Sequence, residues 1–459
     1  MRSLIGDRDF LKRTVAIAVP ILIQNAITNF VSLLDNLMVG QLGTQPMSGV
    51  SIVNQLLFVF NLIVFGVTTG TGIFTAQFFG RQDHQGIRYT FRFKIILSVL
   101  LSGICIAALL GWDDVLIRLF LQGDGTVEDA ASMLSYGQDY LKVMLVGLVP
   151  FAISGAYAST LREGGQTMVP MVAGIVAVFT NLVLNFILIF GHLGLPAMGV
   201  TGAALATVIS RFVELGIVAA WTHLHSREFP FVRGVFHSLY IPSPLLRSFI
   251  SRVIPLVMNE TLWSAAITFQ NQCYTTCGQE VVNGINIVST IDNLANVLAT
   301  AAGNTTGILL GQMLGAKMAR EELREEQKKL SVLTVTAGVL VSVILALVSG
   351  VFPKFYNTTD SIRTLSTSLI IILALFKPFR YHAMTCYYTI RSGGKTWLTF
   401  LYDCGFLWVV SVPVAFILSR FTGLSIVPLY LLCQLPDVLK ALLGSVMVRK
   451  GSWMRNLTD

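Results

Sequence analysis

Twelve apolar runs of membrane length divide this 459-residue chain, and no soluble fold accommodates them. A helix needs about 20 predominantly apolar residues to cross the hydrocarbon of a bilayer. The runs lie near 14–38, 49–76, 94–112, 136–159, 168–191, 198–222, 247–270, 283–312, 329–352, 364–389, 397–418 and 425–447. Charged residues make up only 12% of the chain against 54% hydrophobic, so its outer surface is suited to lipid rather than water. The first run is too long for the core of a cleavable signal and reads as a retained helix. Two runs, 49–76 and 283–312, are long and glycine-rich and are expected to tilt or bend.

The net charge of +8 does not point to nucleic acid, because the basic residues fall mainly in short segments between the runs. With the N-terminus placed in the cytoplasm, one side of the membrane collects Arg2, Arg8, Lys12, Arg13, Arg81, Arg88, Arg92, Lys94 and Arg162. The same side takes Arg227, Arg233, Arg247, Arg252, Lys317, Arg320, Arg324, Lys328, Lys329, Arg391, Lys395, Arg449, Lys450 and Arg455. The other side has Arg118, Lys354, Arg363 and Arg420. This bias of 23 to 4 predicts cytoplasmic termini in a cell inner or plasma membrane. The six cysteines all lie in or beside apolar runs and read as small buried hydrophobes.

The two halves repeat. At an offset of 235 residues Pro20 meets Pro255, Gly43 meets Gly278, Gly72 meets Gly307, Gln77 meets Gln312 and Gly80 meets Gly315. At a slightly smaller offset, Leu161-Arg162-Glu163-Gly164-Gly165-Gln166-Thr167 meets Ile390-Arg391-Ser392-Gly393-Gly394-Lys395-Thr396. Six crossings per half bring the second half in from the same side as the first, which makes the repeats parallel. The expected fold is an all-α polytopic membrane protein, with twelve transmembrane helices in two parallel six-helix repeats around a central cleft. The lobes are expected at 1–222 and 247–459, joined by a cytoplasmic linker at 223–246. Gly303, Gly307, Gly311 and Gly315, with Thr68, Gly72, Ala76 and Gly80 at the matching positions, form small-residue faces that let helix backbones approach closely.

Several segments together resemble the multidrug and toxic compound extrusion (MATE) family. They are Asp35-Asn36-Leu37-Met38-Val39-Gly40, the 161–167 stretch, Asn181-Leu182-Val183-Leu184-Asn185 and Gly199-Val200-Thr201-Gly202-Ala203-Ala204-Leu205-Ala206-Thr207. Asn259-Glu260, the 390–396 stretch and the ending Gly451-Ser452-Trp453 complete the pattern over nearly the whole chain. The resemblance implies a rocking exporter that exchanges protons or sodium for small organic, often cationic, compounds. It also groups Tyr140, Asn181, Asn185 and Thr207 with Asp35. One subgroup of the family has a second acid where Asn185 stands here, and some members have an acid where Arg380 stands.

Ions within a span are costly and need a reason. Asp35, toward the outer end of the first run, can take up a proton or, among neutral oxygens, hold sodium; the plain alternative is a capped or water-exposed acid. Glu260 sits near the middle of the seventh run and is a candidate for cation or substrate binding, or for a buried ion pair. Lys377, Arg380 and His382 share the tenth run, where Arg380 is expected to neutralise Glu260 or Asp403 or to meet an anionic substrate. His382, the only histidine inside a span, is a candidate proton relay or a hydrogen-bonded core group. Asp437 and Lys440, three residues apart, are expected to pair locally. Phe58, Phe65, Trp263, Phe269 and Tyr274 are candidate walls of an aromatic substrate cavity.

The expected partners are a small organic substrate and the lipid bilayer, with no nucleic acid, and the chain is expected to work as a monomer. No cofactor is expected beyond H⁺ or Na⁺ as coupling ion, and no metal beyond Na⁺ at Asp35 or Glu260. A flippase or exporter of an anionic or lipid-linked metabolite is the alternative, with Lys377 and Arg380 facing the head group. No HExxH, G-x-S-x-G or phosphate-loop pattern supports an enzyme, and no filter-like segment supports a channel.

Overall fold

The computed structural model describes residues 6–120 and 127–458 and is all-helical over them. Arg2, assigned above to the cytoplasmic side, lies outside the described residues. Twelve membrane-length segments follow one another: α1 Arg8–Gly40, α2 Thr44–Arg81, α3 His84–Phe120, α4 Val127–Val146 with Leu148–Glu163, α5 Met168–Phe190 and α6 Gly199–Leu224. The second half repeats the series as α7 Ser243–Thr275, α8 Gln279–Gly315, α9 Arg320–Val348, α10 Asp360–Ser392, α11 Thr396–Phe421 and α12 Ile426–Arg449. Helices prevail because lipid offers backbone N–H and C=O groups no partner outside the segment.

Among the described residues, nine of these helices are long and apolar enough to cross a bilayer, and the bent pair of α4 makes ten. The remaining two, α7 and α8, are long but less apolar: they hold Asn259 and Glu260, and Asp292 and Asn296, respectively. The glycine-rich α2 and α8 run uninterrupted for 38 and 37 residues. Breaks occur elsewhere: α4 bends by 45° at Gly147, and α3 leaves helical geometry at Trp112. In α11 the stretch Leu401–Gly405, which carries Asp403, winds as π-helix.

The repeat is written in the backbone. Gly43 and Gly278 open α2 and α8 at φ +113° and +114°, and Gly165 and Gly394 close α4 and α10 at +87° and +72°. Even the non-glycine pair Gln82 and Lys317, again 235 apart, share the left-handed region at +59° and +56°. Such values are uncommon for residues with a Cβ, so their recurrence at one register marks a shared chain path.

The chain divides into two compact units. One comprises Met1–Leu22, Ala76–Gln82 and Ser251–Asp459; the other comprises Ile23–Thr75 and Asp83–Ile250. The second of these has an apolar core of Val53, Leu57, Phe60, Leu141, Leu148 and Ala152. Residues 223–246 belong to it: Arg92 donates to the carbonyls of Val235 and Tyr240, and Arg88 to that of Phe231. The Lys94 side chain, counted above with the cytoplasmic residues, is fully buried against Glu163 at 2.5 Å, and it also donates to the hydroxyls of Ser159 and Thr160 at 2.9 and 3.2 Å.

In the unit that includes 251–459, one core gathers Leu369, Ile370, Leu373 and Leu429, and another gathers Leu309, Tyr388, Tyr402 and Trp453. The small-residue faces pack here as their spacing suggests. A Cβ on Gly315 would collide with the carbonyl of Gln77, one on Gly311 with the Cβ of Ala76, and one on Gly303 with the Tyr388 ring. The tail closes over the same place: Gln77 donates to the carbonyls of Ser392 and Arg455 and accepts from the amide of Leu457.

Two measurements check these contacts. Gly315→Leu should lower the melting temperature in detergent, through overpacking of about 1–3 kcal/mol. Gly103→Leu should not, since open space surrounds its Cβ position. Lys94→Met alone strands a buried carboxylate and should cost about 3–5 kcal/mol, and the Lys94→Met/Glu163→Gln double variant should recover most of it. Equal melting of the single and double variants would show that the pair is not compensating charge.

Candidate functional site

Asp35 lies near the C-terminal end of α1 and is half-buried. α5 presents Asn181 and Asn185 one turn apart, so both amides face the same direction. The Asn185 side-chain N–H donates to Asp35 Oδ1 at 2.6 Å. With the Asn181 amide oriented to satisfy both its ends, its N–H donates to Asp35 Oδ1 at 2.8 Å and its oxygen accepts from the Thr207 hydroxyl at 3.1 Å. Tyr140 takes a different partner, donating to Asn54 Oδ1 at 3.3 Å. Among the described residues Asp35 is thus hydrogen-bonded by neutral amides rather than by a cation. Beside it, Asn185 Oδ1 is buried and has no hydrogen-bond partner among the described residues. A carboxylate and an unsatisfied amide oxygen at one place fit a proton or a hard monovalent cation, both of which seek oxygen.

The second half assembles its charges differently. Asn259, on α7, donates to Asp403 Oδ2 at 3.0 Å and to the Tyr387 hydroxyl at 3.4 Å, while its own Oδ1 is buried and unsatisfied among the described residues. Lys440 of α12 reaches Asp403 Oδ1 at 2.6 Å. Glu260 lies within reach of Asn259, Tyr387 and Arg391. Arg380 neutralises neither Glu260 nor Asp403: its Nε donates to Asp437 Oδ2 at 2.7 Å and its Nη1 to Asp292 Oδ2 at 3.3 Å. Lys377, fully buried, pairs with Asp292 and donates to Asn296 Oδ1 at 3.0 Å.

The expected local pair of Asp437 and Lys440 is therefore not made. Each reaches across to an opposite charge on another helix, Asp437 to Arg380 and Lys440 to Asp403. His382 also stands apart from the carboxylates: Ser331 Oγ meets its Nδ1 at 3.1 Å and Ser445 Oγ its Nε2 at 2.7 Å, which occupies both ring nitrogens. Of the aromatic candidates, Phe65 and Trp263 are 38% and 41% exposed, with Phe58 and Phe269 similarly open. Tyr274 is instead a core residue, packed on Tyr430 and receiving a hydrogen bond from Gln270.

Sequence reasoning missed Asn54, Asp292, Asn296 and Tyr387 as members of these networks. One signal was present for Asp292: Lys377 and Arg380 lie inside a span and need carboxylates within it, and Asp292 is an acid inside a facing span. Among the described residues, no group of three or more His, Cys, Asp or Glu is placed to hold a metal ion.

Comparison with known proteins agrees with this architecture. The family model described as MatE matches residues 20–187 and 256–417, one match in each half. The chain is 24% identical to the probable multidrug resistance protein NorM of Thermotoga maritima over 443 residues, covering 96% of this chain and 93% of that protein. It is also 24% identical to the probable multidrug resistance protein YoeA of Bacillus subtilis, covering 89% of this chain and 87% of that one. Among solved structures, a mutant of the Vibrio cholerae MATE transporter VcmN superposes with a TM-score of 0.87 at 18% identity, covering 98% of each chain. MATE in complex with MaD3S gives 0.86 at 20% identity, covering 98% of this chain and 97% of the other. At such identity the likeness establishes the fold: a polytopic membrane protein of twelve transmembrane helices in two repeats. With the family match spanning most of both halves, the chain belongs to the MatE family of membrane transporters.

Proposed function

We propose that this protein is a secondary active antiporter that lets H⁺ or Na⁺ in and drives small organic compounds, cationic or amphipathic, out of the cell by alternating access. Asp35 carries the reading. It is a carboxylate inside a span, held by the amides of Asn185 and Asn181; among the described residues no cation is bonded to it, and the amide oxygen beside it is unsatisfied. Glu163, Asp292, Asp403 and Asp437 each have a bonded lysine or arginine, which leaves them little reason to bind a mobile ion. The relatives named as multidrug resistance proteins support efflux of drug-like compounds.

Glu260 is the second exchange candidate, through its place beside Asn259, whose oxygen is also unsatisfied among the described residues. The protein works as a monomer in the plasma membrane with both termini in the cytoplasm, an orientation supported by the 23-to-4 distribution of basic residues. It performs no covalent chemistry on its cargo. Export of an anionic or lipid-linked compound is the weaker reading, because Lys377 and Arg380 are already committed to Asp292 and Asp437 and offer no excess positive charge.

Uptake of a cationic dye into inside-out vesicles, with a pH gradient and a sodium gradient imposed separately, tests the proposal. One gradient should drive accumulation. Asp35→Asn should reduce it to the level of empty vesicles while leaving the elution profile of the purified protein unchanged. Normal accumulation by Asp35→Asn removes Asp35 as the exchange site. Glu260→Gln should slow accumulation, and an unaffected rate would assign Glu260 to structure through Arg391.

A further inference from the structure

The charge network of α8, α10 and α12 has no counterpart at the matching positions of the first half. At an offset of 235 residues Asp292 corresponds to Leu57, and at 229 Lys377 and Arg380 correspond to Leu148 and Phe151. Leu57 and Leu148 are buried in an apolar core, with Phe151 packed against it. The same helix positions therefore fold with hydrocarbon side chains, and the charges are not a demand of the fold.

What the charges share is electrical balance: two carboxylates, Asp292 and Asp437, face two cations, Lys377 and Arg380. Their geometry has a further property. Asp292 Oδ1 and Asn296 Oδ1 converge on the Lys377 ammonium, while Asp292 Oδ2 and Asp437 Oδ2 converge on the Arg380 guanidinium. Each point gathers two oxygens, at least one of them from a carboxylate, and oxygen is the ligand a hard cation takes. Here both points of convergence are filled by groups tethered to the chain.

We propose that Asp292, Asp437 and Asn296 form an oxygen-lined cation site in which Arg380 and Lys377 are the resident cations, and that the Arg380 guanidinium holds the place of a mobile alkali ion. Arg380 thus keeps the second-half network neutral without ion exchange. Removing its charge leaves a net charge of minus one and a site for one monovalent cation. Removing one carboxylate leaves a net charge of plus one, which an anion fills. The inference goes beyond the antiport reading and does not need it, because binding is measured without transport.

The test uses the purified full-length chain in detergent, in the Asp35→Asn background so that an ion at Asp35 contributes nothing. Melting temperatures are compared in sodium chloride, choline chloride and sodium gluconate at one ionic strength. Arg380→Gln should melt higher in sodium than in choline, by on the order of 3 °C. Asp437→Asn should melt higher in chloride than in gluconate. The Arg380→Gln/Asp437→Asn variant should respond to neither exchange, like the background protein. Recovery of Arg380→Gln in sodium but not in choline is the same result read as yield. Equal melting of Arg380→Gln in sodium and choline overturns the proposal. So does an equal sodium response in the double variant. Loss of Arg380→Gln in both salts, with or without the double variant, overturns it too, since an opened site must accept sodium.

Discussion

Charge inside hydrocarbon has to be compensated where it sits, and this requirement organises the polar interior of both halves. Glu163 is held by Lys94, Asp403 by Lys440, and Asp292 and Asp437 by Lys377 and Arg380. In each case the partner comes from another helix, so compensation also ties helices together. Lipid supplies no hydrophobic force between helices, and these bridges join close glycine packing as the attractions that remain. Against that background Asp35 differs, because among the described residues its hydrogen bonds come from the neutral amides of Asn185 and Asn181.

How far the sequence revealed this follows from the range of each signal. The spans were legible because lipid selects on a whole run of some twenty residues, and the repeat was legible because turn residues must keep their backbone geometry. Gly43 with Gly278, and Gly165 with Gly394, hold positive φ in both halves. Asp35 with Asn181, Asn185 and Thr207 came only from the family resemblance. Their meeting across 150 residues is invisible to spacing alone.

The ionic partners were misread for a related reason. A pairing rule for exposed helices joins residues three or four apart, and it assigned Lys440 to Asp437. Inside a bundle, a neighbouring helix offers a partner at 2.6–2.7 Å, so Lys440 goes to Asp403 and Asp437 to Arg380. His382 fell to the same blindness: nothing along α10 announces the two serines, from α9 and α12, that occupy its ring nitrogens.

The repeat also shows how the halves have come to differ chemically on one scaffold. Lys94 and Lys329 stand 235 residues apart at one register, yet only Lys94 is sealed inside. Its carboxylate partner is Glu163, and the residue matching Glu163 in the second half is Ser392. Lys329, left without that acid, turns to Glu326 on its own helix at 2.6 Å and lies over the Phe10 ring. Where serine stands in place of glutamate, the lysine at this register sits in a more exposed pair. At position 292 the second half has an aspartate where the first has Leu57, and Lys377 and Arg380 stand where Leu148 and Phe151 do, so here acid and bases come as a set. Compensation works at the level of pairs, so the function of a charged residue in either half follows from its partner and not from its register in the repeat.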